Sequence, residues 1–196
     1  RMIEGGADSE LVWDALYLTV EEIAELLDYV KQEASQPFVY PLFCFAAHTG
    51  ARRSEMIRAS LADVDFIGGV ITLHEKKKKQ GVETSRRVPM SDFLHGVLSE
   101  WIKKHPGGHA LFCHAGEVAY SKKRSPNTGY QNDKTRSKSG KGRKARLVKR
   151  KVQPITRLTA DEVHYYFGET LRGSKWDVLR GWHTLRHSFI SMCATK

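Results

Sequence analysis

No stretch of this 196-residue chain approaches the eighteen or so consecutive apolar residues that a bilayer span needs, and no signal-peptide pattern opens it. No membrane partner is therefore expected, and a cytoplasmic location is. Cysteine is scarce. Cys44, Cys113 and Cys193 are odd in number, scattered and each set among apolar residues, so they are expected to be reduced core side chains rather than a disulfide framework. A zinc ion would recruit Cys113, His114 and His109, but no C-x-x-C pair stands with them, and no metal or other cofactor is expected. The first residue is Arg1 rather than an initiator methionine, which points to a piece of a longer protein. Residues 1–17 show little periodicity and read as an N-terminal remnant or linker.

Acidic residues are nearly missing from one segment. Residues 121–151 hold 13 of the chain's 32 Lys and Arg against the single acid Asp133, which leaves 19 bases and 21 acids elsewhere. The net charge of +10 thus resides in that segment. It is also rich in Ser, Gly and Asn and poor in apolar residues, so it cannot form a core of its own and is expected to be a mobile insert when unbound. Lys122, Lys123, Arg124, Arg143, Lys144, Arg146, Lys149, Arg150 and Lys151 are its candidate phosphate-backbone contacts.

The rest has the composition of a folded domain, with 40 % apolar and 10 % aromatic residues. Thr19 and Glu22 make a capping box for a helix whose stripe is Val20, Ile23, Leu26, Leu27 and Val30. Pro37 and Pro41 bracket a break, and the run Leu42 to Ala47 reads as a buried helix ending at Gly50. A short helix follows from Ser54 through Ile57. Gly68-Gly69 turns the chain into a strand over 70–73, and 85–90 supplies the return strand, with Lys76 to Gly81 at the hairpin tip. Ser91 caps a helix bearing Phe93, Leu94, Val97, Leu98, Trp101 and Ile102, and Pro106-Gly107-Gly108 stops it. Leu111-Phe112 is a short extended piece. Thr159 and Glu162 form a second capping box, for a helix lined by Val163, Tyr166, Phe167 and Leu171. The fold class is α+β, mainly helical, with a small antiparallel hairpin or sheet.

Two stretches carry chemistry. In His183-Thr184-Leu185-Arg186-His187, Leu185, Phe189 and Met192 or Cys193 recur at helical spacing, and His183 and Arg186, three apart, share a neighbouring face. A guanidinium offers five donors in a fixed fork and suits a phosphate, and an imidazole beside it can exchange a proton near neutrality. In Thr49-Gly50-Ala51-Arg52-Arg53-Ser54-Glu55, Arg52 lies just past a helix end and Glu55 can hold its fork in register.

The order T-G-x-R-x-S-E, lysine-rich hairpin, H-x-L-R-H resembles the catalytic domain of tyrosine recombinases, the phage integrase family of DNA strand-exchange enzymes. The resemblance covers most of residues 15–196, and 18–196 are read as the catalytic core. It implies that Arg52 and Arg186 clamp one DNA phosphate, with Glu55 supporting. Lys77 or Lys76 would protonate the leaving 5′ oxygen. His183 would handle the nucleophile's proton or support the phosphate, and His187 would be a secondary contact or helix packing. It further implies double-stranded DNA as partner, no metal, and a tetramer in the full-length parent. The family's nucleophilic tyrosine, which forms a 3′-phosphotyrosyl link, normally lies beyond the second arginine, and the sequence to Lys196 does not reach it. Tyr165 and Tyr166 sit inside a helix, and the helix core explains Tyr166. A fragment without its nucleophile is expected to bind DNA without cleaving it. The alternative is a non-catalytic, basic nucleic-acid-binding module related to integrases.

Overall fold

The computed structural model describes residues 17–75, 84–114, 118–120, 148–150 and 156–194. Lys76 and Lys77, residues 1–16, and most of the basic segment 121–151 lie outside them. Two units are distinguished: residues 1–114 with 155–196, and residues 115–154. In the second, β5 (Val118–Tyr120) pairs antiparallel with β6 (Val148–Arg150).

The first unit is built around one helix that is apolar on nearly every side. Helix α2 (Val39–Thr49) buries Val39, Leu42, Phe43, Cys44, Phe45, Ala46 and Ala47, a pattern that only a core position satisfies. It begins earlier than the apolar run alone suggests, and Pro41 lies inside its first turn instead of in a break. The missing amide there has no intrahelical acceptor to lose. Around α2 pack α1 (Val20–Glu33), α3 (Arg53–Arg58), α4 (Asp92–Lys103) and α6 (His183–Ala194). Helix α5 (Ala160–Leu171) lies against α1 and α3.

Aromatic contacts hold this arrangement. The Phe43 ring stacks on Phe167 of α5 at 5.3 Å between centroids and meets Trp182 at 4.6 Å. Phe45 stands edge-on to Phe112 at 5.2 Å. Tyr166 is buried edge-on against Phe38, and burial pushes its phenol up to about 12, as a core side chain requires. Both capping boxes form: Thr19 with Glu22, and Thr159 with Glu162. The Ser91 hydroxyl caps α4 by accepting from the Leu94 amide.

A three-stranded antiparallel sheet joins β1 (Val64–Asp65), β2 (Val70–His74) and β3 (Ser85–Pro89), in that order. Strand β1 was not legible as such, because two residues are too few to show alternation. A 3₁₀ turn (Leu61–Asp63) sets it, with Asp63 accepting from the Ser60 amide at 2.8 Å and pairing with His74 at 2.7 Å. Leu111 and Phe112 are buried just before β4 (Cys113–His114), which pairs with β7 (Thr156–Arg157).

Three expected core residues are exposed. Val20 (60 %) and Phe93 (48 %) are largely open, and Cys193 is exposed, whereas Cys44 and Cys113 are buried. The three line one apolar groove of about 570 Å³ with Ile23, Leu27 and Ala47. The stripe of α6 therefore loses its cover toward its C-terminal end, and only Thr184, Leu185 and Ser188 are buried.

Phe43→Ala removes a ring that touches two other aromatics, and it should destabilise the chain by about 3–5 kcal/mol in chemical denaturation. A loss below about 1 kcal/mol would show that this cluster is not the core.

Candidate phosphate-binding site

The site begins where α2 stops. Gly50 adopts φ 57°, its amide donates to the Ala46 carbonyl, and the chain turns through buried Ala51 to Arg52. A Cβ at Gly50 would stand 2.5 Å from the Phe189 ring, so glycine is required twice, by the left-handed backbone and by the close approach of α6. That approach brings Arg186, nearly one turn before Phe189, to the end of α2. The Arg186 guanidinium donates to the Gly50 carbonyl, a bond between parts of the chain 136 residues apart.

Arg52 is the residue before α3, and Glu55 in the first turn folds back on it. One Glu55 oxygen accepts from the Arg52 amide at 2.8 Å and the other from Arg52 Nη1 at 3.0 Å. Arg52 Nη1 also donates to Glu75 at 3.1 Å, and Thr84 donates to the other Glu75 oxygen at 2.8 Å. Arg52 is half exposed and Glu55 only 1 % exposed. The expected link between Arg52 and Glu55 is thus present, but Glu55 is a buried anion rather than a partner at the surface.

A third guanidinium completes the cluster. Arg86 in β3 faces Glu55 with both terminal nitrogens at 2.9 Å, and its Nη2 lies 3.5 Å from the Gly50 carbonyl that Arg186 also uses. Sequence reasoning missed it, although a signal existed. Val88 and Arg86 are two apart in one strand, hence on one face, and that face is the buried one. Arg86 stands opposite buried Leu73, and Val88 opposite buried Ile71. A charged residue at an inward position asks for a buried counter-charge.

The electrostatics follow from three guanidiniums around two carboxylates. Burial pushes the Arg186 pKa down, and the positive charges of Arg52 and Arg86 push it further, against the pull of Glu55 and Glu75. The side-chain bonds from Glu75 and Glu55 raise that of Arg52. Burial acts to raise Glu55, but the Arg86 and Arg52 hydrogen bonds and the Arg86 charge outweigh it, and its carboxyl is held below the ordinary range. The bond from Thr84 and then that from Arg52 hold Glu75 down as well. One positive charge is left in excess, and the setting suits an anion.

His183 and His187 are exposed on α6, their ring centroids 6.2 Å apart, so His187 is not packed into the core. Lys76 and Lys77 lie outside the described residues, directly after Glu75. Lys122, Lys123, Arg124, Arg143, Lys144, Arg146 and Lys151 do too. Lys149 and Arg150 belong to the backbone of β6, and their side chains are not described. Among the described residues no group of three or more His, Cys, Asp and Glu could hold a metal ion.

The family model described as "Phage integrase family" matches residues 17–194. The chain belongs to the phage integrase family. No curated protein is a significant match. Several solved structures share the chain's fold. XerA recombinase superposes with a TM-score of 0.56 at 17 % identity, covering 91 % of this chain and 49 % of that one. The XerH site-specific recombinase bound to a palindromic difH substrate, in a post-cleavage complex, gives 0.57 at 18 %, covering 91 % and 42 %. The Tn1549 transposon integrase in complex with transposon right end DNA gives 0.55 at 18 %, covering 92 % and 54 %. The chain spans about half the length of those structures, and at such identities the likeness is one of fold.

Gly50→Ala should cost at least about 1–2 kcal/mol of stability from the left-handed backbone alone, with the Phe189 clash in addition. Equilibrium unfolding reads it, and a neutral result would contradict the close approach of α6. Glu55 contributes stability that is complete above the ordinary glutamate value of about 4.3 and is lost as pH falls through its depressed folded value. Glu55→Gln should therefore lower the melting temperature at pH 7 and flatten its acid-side decline. An equally steep decline would show the carboxylate to be unpaired in solution.

Proposed function

We propose that this chain is the DNA-binding catalytic core of a site-specific tyrosine recombinase, in which Arg52 and Arg186 hold the phosphate at which a DNA strand is broken and rejoined. The observation that carries the reading is that Arg186 donates to the Gly50 carbonyl, two residues before Arg52, where the Arg52 charge acts on it. Family membership supports it.

A phosphodiester is a monoanion, and attack on phosphorus gathers more charge on its non-bridging oxygens. Guanidiniums already in place stabilise that state without reorganisation. Of the two carboxylates on Arg52, Glu75 is the exposed one, at 30 %, against 1 % for Glu55. Glu75 is the one a phosphate exchanges with, and Glu55 stays to hold Arg52.

In the proposed reaction a tyrosine hydroxyl forms the bond to phosphorus. The bond to the 5′ oxygen breaks, and that oxygen takes its proton from Lys77 or Lys76. His183 accepts the tyrosine proton or supports the phosphate, and His187 lies one turn further along as a secondary contact. The linkage conserves the energy of the diester, so the strand can be resealed. The basic segment 121–151 follows the duplex backbone. The parent acts as a tetramer on DNA, within the cytoplasm. Among the described residues no helix is long and apolar enough to cross a membrane.

In the full-length parent, Arg52→Ala and Arg186→Ala should each lower strand cleavage by roughly 10²–10³-fold while duplex affinity changes far less. Cleavage at the wild-type rate would contradict the clamp. Deleting 121–151 should reduce the salt dependence of duplex binding by about 0.9 in slope for each phosphate that is no longer neutralised. An unchanged slope would show that the segment stays off DNA. Binding without any cleavage by the full-length parent would favour a non-catalytic, basic nucleic-acid-binding module.

A further inference from the structure

We infer that Arg86 is a positioning residue: it neutralises the buried Glu55 carboxylate so that the Arg52 guanidinium remains available to a phosphate. The inference rests on the reading of Arg52 as a phosphate ligand.

Glu55 is surrounded on both oxygens. One accepts from Arg52 Nη1 at 3.0 Å and Arg86 Nη1 at 2.9 Å, and the other from the Arg52 amide at 2.8 Å and Arg86 Nη2 at 2.9 Å. The two arginines divide the task unequally. Arg86 sets its whole fork against the carboxylate, the bidentate geometry that matches a guanidinium to two oxygens. Arg52 commits one nitrogen, and that same nitrogen also reaches the exposed Glu75.

A carboxylate that is 1 % exposed cannot turn to water for the bonds it loses. Without Arg86, the remaining cation on Glu55 among the described residues is Arg52. Its fork would then close on the carboxylate with both terminal nitrogens, away from the open side where it is now 47 % exposed. Arg86 is the more enclosed of the two, at 31 %, and points inward from β3 opposite Leu73. Its Nη2 also lies 3.5 Å from the Gly50 carbonyl to which Arg186 donates, so it stands beside both proposed phosphate ligands. Lysine cannot substitute, since an ammonium is a point charge without a planar fork.

The test uses inorganic phosphate as the probe, titrated into the 196-residue chain and followed by the arginine side-chain NMR signals. Wild type, R52A, R86M, R86K, R52A/R86M and E55Q/R86M are compared. R86M should weaken phosphate by about tenfold or more, as removal of a charge-assisted hydrogen bond does, with R86K little better. R52A added to R86M should cost nothing further. E55Q in the R86M background should restore most of the affinity, because the competing carboxylate is gone. If R86M does not fold, R86K and E55Q/R86M decide the matter. Additive losses in R52A/R86M, or weak binding in E55Q/R86M, would overturn the role of Arg86 alone. Equal binding by wild type and R52A would overturn the reading of Arg52 and the inference with it.

Discussion

A carboxylate kept from water among guanidiniums is the constraint on which this structure turns. Glu55 is ionised in a place where an unpaired charge would cost several kcal/mol, roughly the whole margin of a small domain. Its partners must therefore stay, and they belong to different elements. Arg52 comes from the turn before α3 and Arg86 from β3. Arg186 of α6 is drawn in through the Gly50 carbonyl. One buried charge ties two parts of the fold together, and the Gly50 carbonyl adds the third. The junction is left positive, because three cations meet two anions.

The hydrophobic core makes this possible by ending at the right place. Helix α2 is held on all sides, and its last residues deliver Gly50 to the mouth of the site. Packing of Phe43 on Phe167 and Trp182 sets α5 and the segment leading into α6. Phe189 lies against Gly50. Apolar packing positions the helices, and the short left-handed turn converts that packing into a precise placement of charge. Side chains held on rigid elements lose little entropy when a ligand binds.

Much of this was legible in the sequence, for physical reasons. Capping boxes are local, so Thr19 with Glu22 and Thr159 with Glu162 could be read directly, as could the Ser91 cap and the Gly50 stop. The paired strands 70–74 and 85–89 carried their own β-branched run and turn. Arg52, Glu55 and Arg186 stood in motifs whose order the family shares. Other features depended on what lies across the fold. Val20, Phe93 and Cys193 have the right spacing for burial, yet nothing among the described residues covers the groove they line. Arg86 looked like one of many surface bases. Only the inward parity of Val88 and Arg86 hinted at its place, and only tertiary contact showed its partner. Glu75 stands beside a run of lysines in the sequence, and its bonds to Arg52 and Thr84 exist only across the fold.

A structure of the chain with a short DNA duplex tests the phosphate clamp most directly. It should show Arg52 and Arg186 within hydrogen-bonding distance of oxygens on one phosphate, with Glu75 displaced from Arg52 and Glu55 still held by Arg86. A bound duplex with Arg52 still on Glu75, and no phosphate shared by the two arginines, would contradict it.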